Sequence, residues 1–497
     1  GQLDLRCAPV LRVALHSGSR LPLVVLPDDA QLLAVPPPLD PIADVTAAVS
    51  EAFRYPLDGE PLRDVVPRAG RATVVVQPPA LPFPGVEDDP RRDALATVLD
   101  ELGGAGLARD RVTILVAGGL GQRPGRRDLE GLLRPDRARA FRGEVVVHDC
   151  EADDLRTLAL DDRVVRVHPA LVDTDLVVTV GAAETVLHGG PAALVDACAA
   201  GVIRSARAVS LLEPTGAPAW QLATGIEAQL HRSLPVLGLS LVLDRPRTVG
   251  IHRGYPWDAE ARRAVARSPL RRLQNALPDA LRRRLLEGVA RQLNVLAAFA
   301  GPSSVAHAEA LVRATAVRRV IVGGPFDTLV VPLPWGLNPI TAAATGLGHA
   351  LRLWRNRPAL AEGGTVVLLH PFTRVMGHSS QAPYRTLFAA LRDGPPRRLG
   401  GFEAAAARDR RAVAAYRSGA APHPRRPFAD WDACAAMLER AGSVIVAGCR
   451  DAGAARALGF VPSHNVSTAL AMARGLAGHE RTGVLVGPPY PTVVVGG

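Results

Sequence analysis

Five short stretches carry side chains able to move protons or hold anions. His148-Asp149-Cys150 follows an apolar run, Glu144–Val147. Glu184 precedes Thr185-Val186-Leu187-His188-Gly189-Gly190, which joins a carboxylate, an imidazole and a pair of glycines. Imidazoles and carboxylates are the usual general bases, and a glycine turn lets main-chain N–H groups approach an anion. His188 is therefore read as a base or ligand beside such a turn, or as a turn histidine and nothing more. His148-Asp149 is a site pair or a structural hydrogen-bonding pair. Arg123, in Gly118–Pro124, is an anion binder or a solvated arginine. His370, His378 and His252 also lie next to strand-like runs. Cys198 sits in an Ala-rich stretch and is expected to pack as a small apolar residue.

Lysine is missing altogether. All 58 basic residues are arginine, so a Schiff base, a lysine base and a P-loop lysine are excluded. The five cysteines form no C-x-x-C pair, which argues against a disulfide framework or a structural zinc site. The net charge of +10 invites a nucleic-acid reading. The best basic patch, Arg271, Arg272, Arg282, Arg283 and Arg284, has no interleaved aromatics, however, and is expected to be a solvated helix face. Nucleic acid is not an expected partner. Apolar runs are strand-sized, far short of the ~18–20 residues of a membrane helix. Gly1–Val10 lacks a basic, then apolar, leader pattern. A cytoplasmic protein with no membrane partner is expected.

These residues need a frame. Strand-like runs at Ala72–Val76, Val112–Ala117, Glu144–His148 and Leu176–Val180 alternate with helical patterns such as Asp93–Leu102 and Asp128–Leu133. That alternation predicts a parallel, doubly wound sheet. Pro235–Leu243 and Thr248–His252 read as an antiparallel pair. Asp258–Phe299 reads as helix-rich, and Gly301–Pro302 as a boundary. Beyond it come helix Val305–Ala314, strands Arg319–Val322 and Thr328–Val331, helix Ile340–Arg355, strand Thr365–Leu369, loop Ala420–Pro427, helix Ala433–Ala441 and strands Ser443–Ala447 and Thr482–Val486. The expected architecture is α/β: two βαβ-type domains, 1–300 and 301–497, with mainly parallel sheets and an interdomain cleft. With 497 residues and 48% hydrophobic residues, there is enough chain for two cores. Ligands of open α/β sheets bind beyond the strands' carboxyl ends, where the histidines lie.

Taken in order, several segments resemble the nickel-pincer-dependent lactate racemase-like family. Pro61–Val66 is similar to its "PLRELV", Val147–Cys150 to "NHDA", Leu243–Pro256 to "VLD…GVFAGDP", and Glu362–Val367 to "PGGTIVL". The resemblance implies a 2-hydroxyacid racemase or epimerase, an isomerase using a nickel-pincer nucleotide. Two histidines would serve as alternative bases, a third would ligate nickel, and a lysine and an arginine would hold anionic groups.

Residue by residue, much of that set is replaced. The family's "DxTRP" falls on Gln77–Pro82, without the acid or the arginine. Its "GxHRP" falls on Gly119–Pro124, where Arg123-Pro124 match and Gln122 stands for the histidine. Its "EPHxxxGxSGGxK" falls on Glu184–Ala192. There Glu184, Gly189 and Gly190 match, Val186 replaces the histidine and Ala192 the lysine. No histidine stands near Ala208, where nickel's ligand belongs. Asn338 matches, but the following Gln and Lys are Thr341 and Ala344. The candidate catalytic residues are thus His148, His188 and Glu184, and the candidate cofactor contacts are Gly189, Gly190, Arg123 and Asn338. The ligand implied is a small hydroxy acid or related metabolite, and a homo-oligomer is possible. Two readings remain: a racemase with degraded or altered catalysis, and a non-catalytic homologue that binds a metabolite or an active paralogue. A third reading is an arginine-rich nucleic-acid binder on an α/β scaffold.

Overall fold

The computed structural model describes residues 11–78, 89–334, 338–393, 399–477 and 481–496. The "DxTRP"-like loop is therefore described only as far as Pro78, and Cys7 and Trp335–Leu337 lie outside the described residues.

The described residues begin with an antiparallel hairpin, β1 (Leu11–Ala14) and β2 (Leu23–Leu26), followed by β3 (Gln31–Ala34). A six-stranded sheet is then built from β4 (Ala72–Val76), β5 (Val112–Val116), β6 (Glu144–Val147), β7 (Leu176–Ala182), β8 (Val236–Leu243) and β9 (Val295–Gly301). Its order is β9-β8-β7-β4-β5-β6. Every pairing is parallel except β8 with β9. The second sheet uses β10 (Phe326–Pro332), β11 (Leu360–Leu369), β12 (Ser443–Ala447), β13 (Val461–Ser463) and β14 (Thr482–Val486). Its order is β13-β12-β11-β10-β14-β3, parallel throughout.

Strands such as β4 and β8 are buried at every residue, as expected where both faces of a parallel sheet are covered. Alternate residues divide between the faces. Val74 and Val76 pack with α1 (Arg91–Gly104), whereas Val75 and Val177 pack with Leu222 and Ile226 of α2 (Pro218–His231). In the second sheet, Val331 and Leu368 face Trp431 and Cys434, and Val330 and Val367 face the β1–β2 hairpin. The remaining helices used below are α3 (Pro269–Ala276), α4 (Asp279–Glu287), α5 (Ser303–Arg318), α6 (Pro339–Ala343) and α7 (Arg426–Arg440).

Three expectations change. Val236–Leu243 does not pair with 248–252. It lies between β7 and β9, while Arg247–Thr248 pairs with Ala290–Gln292. The Asp258–Phe299 stretch ends in strands, not helix. The expected helix Ile340–Arg355 is α-helical only to Ala343, continues as a π-turn Ala344–His349 and a 3₁₀ turn Ala350–Arg352, and ends as strand at Trp354–Arg355. Gly346 and Gly348 explain the break. A Cβ on Gly346 would lie 2.8 Å from Leu368, and one on Gly348 3.2 Å from Ala433, so the backbone is pressed against its neighbours there.

Candidate functional site

The loop leaving β7 is the centre of the site. Thr185 and His188 exchange main-chain bonds across a tight turn, and the Thr185 hydroxyl accepts from the Leu187 N–H at 3.2 Å. Gly189 (φ 95°) and Gly190 (φ 51°) follow in left-handed conformations, which glycine adopts without Cβ strain. Space demands glycine too, since a Cβ on Gly190 would sit 2.3 Å from the Cβ of His307.

His307, on α5, supports this loop from below. Its Nε2 donates to the Thr185 carbonyl at 3.0 Å, which leaves Nδ1 to accept from the Ser240 hydroxyl at 2.9 Å. Trp220 stacks on the ring. Burial lowers this imidazole to about 4, so it is a neutral strut.

Glu184 and His188 come together. The Glu184 side chain is buried. Its Oε1 accepts from Arg91 Nη1 at 2.9 Å, and its Oε2 lies 3.5 Å from His188 Nε2. Arg91 also grips Asp89. At the end of β4, Gln77 accepts from the Gly189 N–H at 2.8 Å and donates to Asp196 Oδ2 at 2.6 Å. Removal from water raises the Asp196 carboxyl.

His188, Glu184 and Asp196 line one side of a cavity of about 620 Å³, and Thr341, His349 and Tyr384 line another. Below Tyr384, whose hydroxyl donates to Asp430 at 2.6 Å, Arg426 holds the same carboxylate at 2.7 Å. His349 lies on the π-turn, and burial, then Arg352 and Arg318, pull it down to about 4.

The other candidates are engaged elsewhere. His148 Nε2 donates to the Cys198 carbonyl at 2.7 Å, and burial lowers the ring to about 4. His148 is buried among structural groups and is not gathered with Glu184 and His188. Arg123 donates to the carbonyls of Arg417, at 2.6 Å, and Val147, at 3.0 Å, while Gln122 donates to that of Gly419 at 2.7 Å. The same 416–425 segment adds His423 against Glu151 at 3.0 Å and Arg417 against Asp149 at 3.0 Å. Asn338 is buried and caps α6, accepting from Ile340 and Thr341 and donating to Gln381 at 2.6 Å. His252 lies in a short turn, its ring nearly parallel to that of His16 at 6.0 Å. His370 accepts from the Phe372 N–H at 3.0 Å, and the exposed His378 bonds Ser380 at 2.8 Å. Cys198 is buried, as expected, with its thiol pKa raised by burial.

Sequence reasoning missed His307 and His349. The signal for His307 was its spacing from Ser303, Ala310, Leu311 and Ala314, all buried on one helix face. A ring on that stripe is a core residue. For His349 the signal was weaker, an imidazole beside Gly346 and Gly348.

The implied nickel cofactor finds few partners. Ala192 begins a helical turn where the tethering lysine belongs, and Ala208 is packed against the Arg352 guanidinium near the nickel ligand's place. Among the described residues no group of three or more His, Cys, Asp or Glu is placed to hold a metal. The residues present do not fit a lysine-tethered, histidine-ligated nickel group.

Residues 19–190 match the lactate racemase N-terminal domain family. The fold is similar to that of the lactate racemase apoprotein from Thermoanaerobacterium thermosaccharolyticum (TM-score 0.62, 14% identity, 98% of this chain and 100% of that one). It is also similar to a Thermotoga maritima protein of known crystal structure (TM-score 0.50, 12% identity, 93% and 100%). No curated protein sequence matches. Residues 19–190 thus match a lactate racemase N-terminal domain, set in a fold that nearly the whole chain shares with a lactate racemase apoprotein.

Proposed function

We propose that this protein binds a small hydroxy acid or related metabolite in the 620 Å³ cavity and has lost the hydride and proton transfers of a racemase. The reading divides the chain near Gly301–Pro302 and sets the ligand between the two parts. One observation carries it: Gln122 and Arg123 spend their side chains on the carbonyls of Gly419 and Arg417. An amide is no base at neutral pH, and each positioned base supplies about 10²–10⁴-fold.

The experiment is to produce the full chain alongside the enzymes that make the nickel-pincer nucleotide. Bound nickel is then measured, inversion of L-lactate is followed by chiral chromatography, and thermal shifts are recorded with 2-hydroxy acids. Metal-free protein without inversion, yet stabilised by an acid, is expected. Stoichiometric nickel with inversion would overturn the proposal.

The Glu184–His188 contact, 3.5 Å on the cavity wall, favours a second reading: altered catalysis with His188 as the base. That reading requires substrate turnover that His188→Asn abolishes.

A further inference from the structure

Helices α3 and α4 bury arginine and leave leucine outside. α3 buries Arg271 and Gln274 and leaves Leu270 and Leu273 56% and 61% exposed, and α4 buries Arg282 together with Leu286 and leaves Leu281 and Leu285 50% and 51% exposed. Each leucine pair is spaced three or four residues apart, so each shares one helix face.

The inward polar groups explain the inversion. Arg271 donates to the Leu21 carbonyl at 3.0 Å, and Asn275 both donates to that carbonyl at 3.0 Å and accepts from the Leu21 N–H at 2.8 Å. Arg282 donates to the Ser19 hydroxyl at 2.9 Å, and that hydroxyl donates to Asp279 at 2.5 Å. Both helices are thus fastened to the same turn, residues 19–21, by their polar sides. Leu270, Leu273, Leu281 and Leu285 are left outside those contacts.

Arg267, Arg272 and Arg284 are exposed on or beside these helices; of the exposed carboxylates there, Asp279 pairs with Arg282 and Arg283, and Glu287 closes α4, so the arginines are in excess. The expectation of a uniformly solvated basic face fails here: two of its five arginines are buried anchors, and leucines stand in their place outside.

We propose that the α3–α4 pair docks this protein on an anionic lipid bilayer. The four leucines enter the boundary between headgroups and acyl chains, and the exposed arginines meet the headgroup phosphates. An amphipathic helix can lie in that plane without spanning it. The absence of a described helix able to cross a membrane, and the sequence-based expectation built on spans, do not bear on such a surface. Charge selects this occupant. A two-fold contact between two copies through this face would set Arg267, Arg272 and Arg284 near their own equivalents, whereas anionic lipid supplies the opposite sign. Leucines standing out from the surface suit a soft planar partner better than a helix, which needs a groove to lie in.

The test is co-sedimentation of the full chain with phosphatidylcholine vesicles, with and without about one-third phosphatidylglycerol, at low and high salt. At least about tenfold more protein is expected on the anionic vesicles, with salt weakening the binding. Replacing Leu270, Leu273, Leu281 and Leu285 by serine should release the protein with only a small drop in Tm, since each side chain has half or more of its surface in water, and a circular-dichroism melt confirms that the variant is folded. Arg272→Glu with Arg284→Glu should do the same. Failure to bind anionic vesicles at low salt overturns the proposal. So does binding that the serine variant retains, which would be attraction by overall charge alone. A concentration-dependent dimer abolished by the serine variant would assign the face to a second copy instead.

Discussion

The side-chain amide of Gln122 donates to the main-chain carbonyl of Gly419 across 2.7 Å, so the loop after β5 is fastened to a segment nearly 300 residues further along the chain. Its neighbour Arg123 reaches Arg417 in the same way. Gln122→Ala should cost about 0.5–1.5 kcal/mol and Arg123→Ala about 1.5–3 kcal/mol, the usual range for losing a neutral or a charged hydrogen bond. Thermal unfolding measures the first effect. Faster tryptic cleavage at Arg417 or Arg425 reports the loosened segment. Arg126→Ala, which removes only an exposed ion pair with Glu130, should change neither.

Gly190→Ala should destabilise by about 2–3 kcal/mol or leave the chain insoluble, because the new methyl meets His307 and the backbone is left-handed. Gly363→Ala isolates the backbone part. Its φ is 73° with nothing within 4 Å, so about 1 kcal/mol is expected. Equal losses in urea unfolding would remove the steric account of the His307 contact.

Glu184→Ala should cost about 3 kcal/mol, since it strips a buried carboxylate from the Arg91 guanidinium. Glu184→Gln keeps an acceptor for Arg91 and should cost less. Denaturant midpoints of the two variants decide the order.

Acid should loosen this fold well above the carboxylate range. Burial holds His148, His252, His307 and His349 down to about 4, and burial with His252 holds His16 to about 3. Unfolded, each would protonate near its ordinary value of about 6.5. Between those limits the unfolded chain binds more protons than the folded one. Stability is therefore full above pH 6.5 and falls as pH drops toward 4, by up to about 1.4 kcal/mol per unit for each histidine. Urea unfolding at pH 7, 6 and 5 measures the slope, and His252→Phe should flatten it.

Much of the frame was legible because a covered parallel sheet requires unbroken apolar runs. Val112–Val116 and Ser443–Ala447 have no other use. What escaped was decided by distant contacts. Val295–Gly301 is too rich in alanine to be told from helix, and becomes a strand because β8 offers it an edge. The leucines of α3 and α4 look like core until Arg271 and Arg282 find carbonyl and hydroxyl partners at residues 19–21. In the site, the glycine pair and Glu184 beside His188 could be read from residue types alone. The strut His307 could not, because its role depends on Ser240, Trp220 and Gly190 converging from three separate segments.

The pairing of β3 with β14 has a consequence for biosynthesis. Leu32 is partnered by Val484. At translation rates of about 5–20 residues per second, the early strand emerges tens of seconds before its neighbour exists. Throughout that interval its hydrogen-bonding edge is open to any strand in the vicinity. Residues 482–486 therefore join β3 to the sheet late, and a nascent chain stalled short of them would expose a seam suited to capture by chaperones or by other nascent chains.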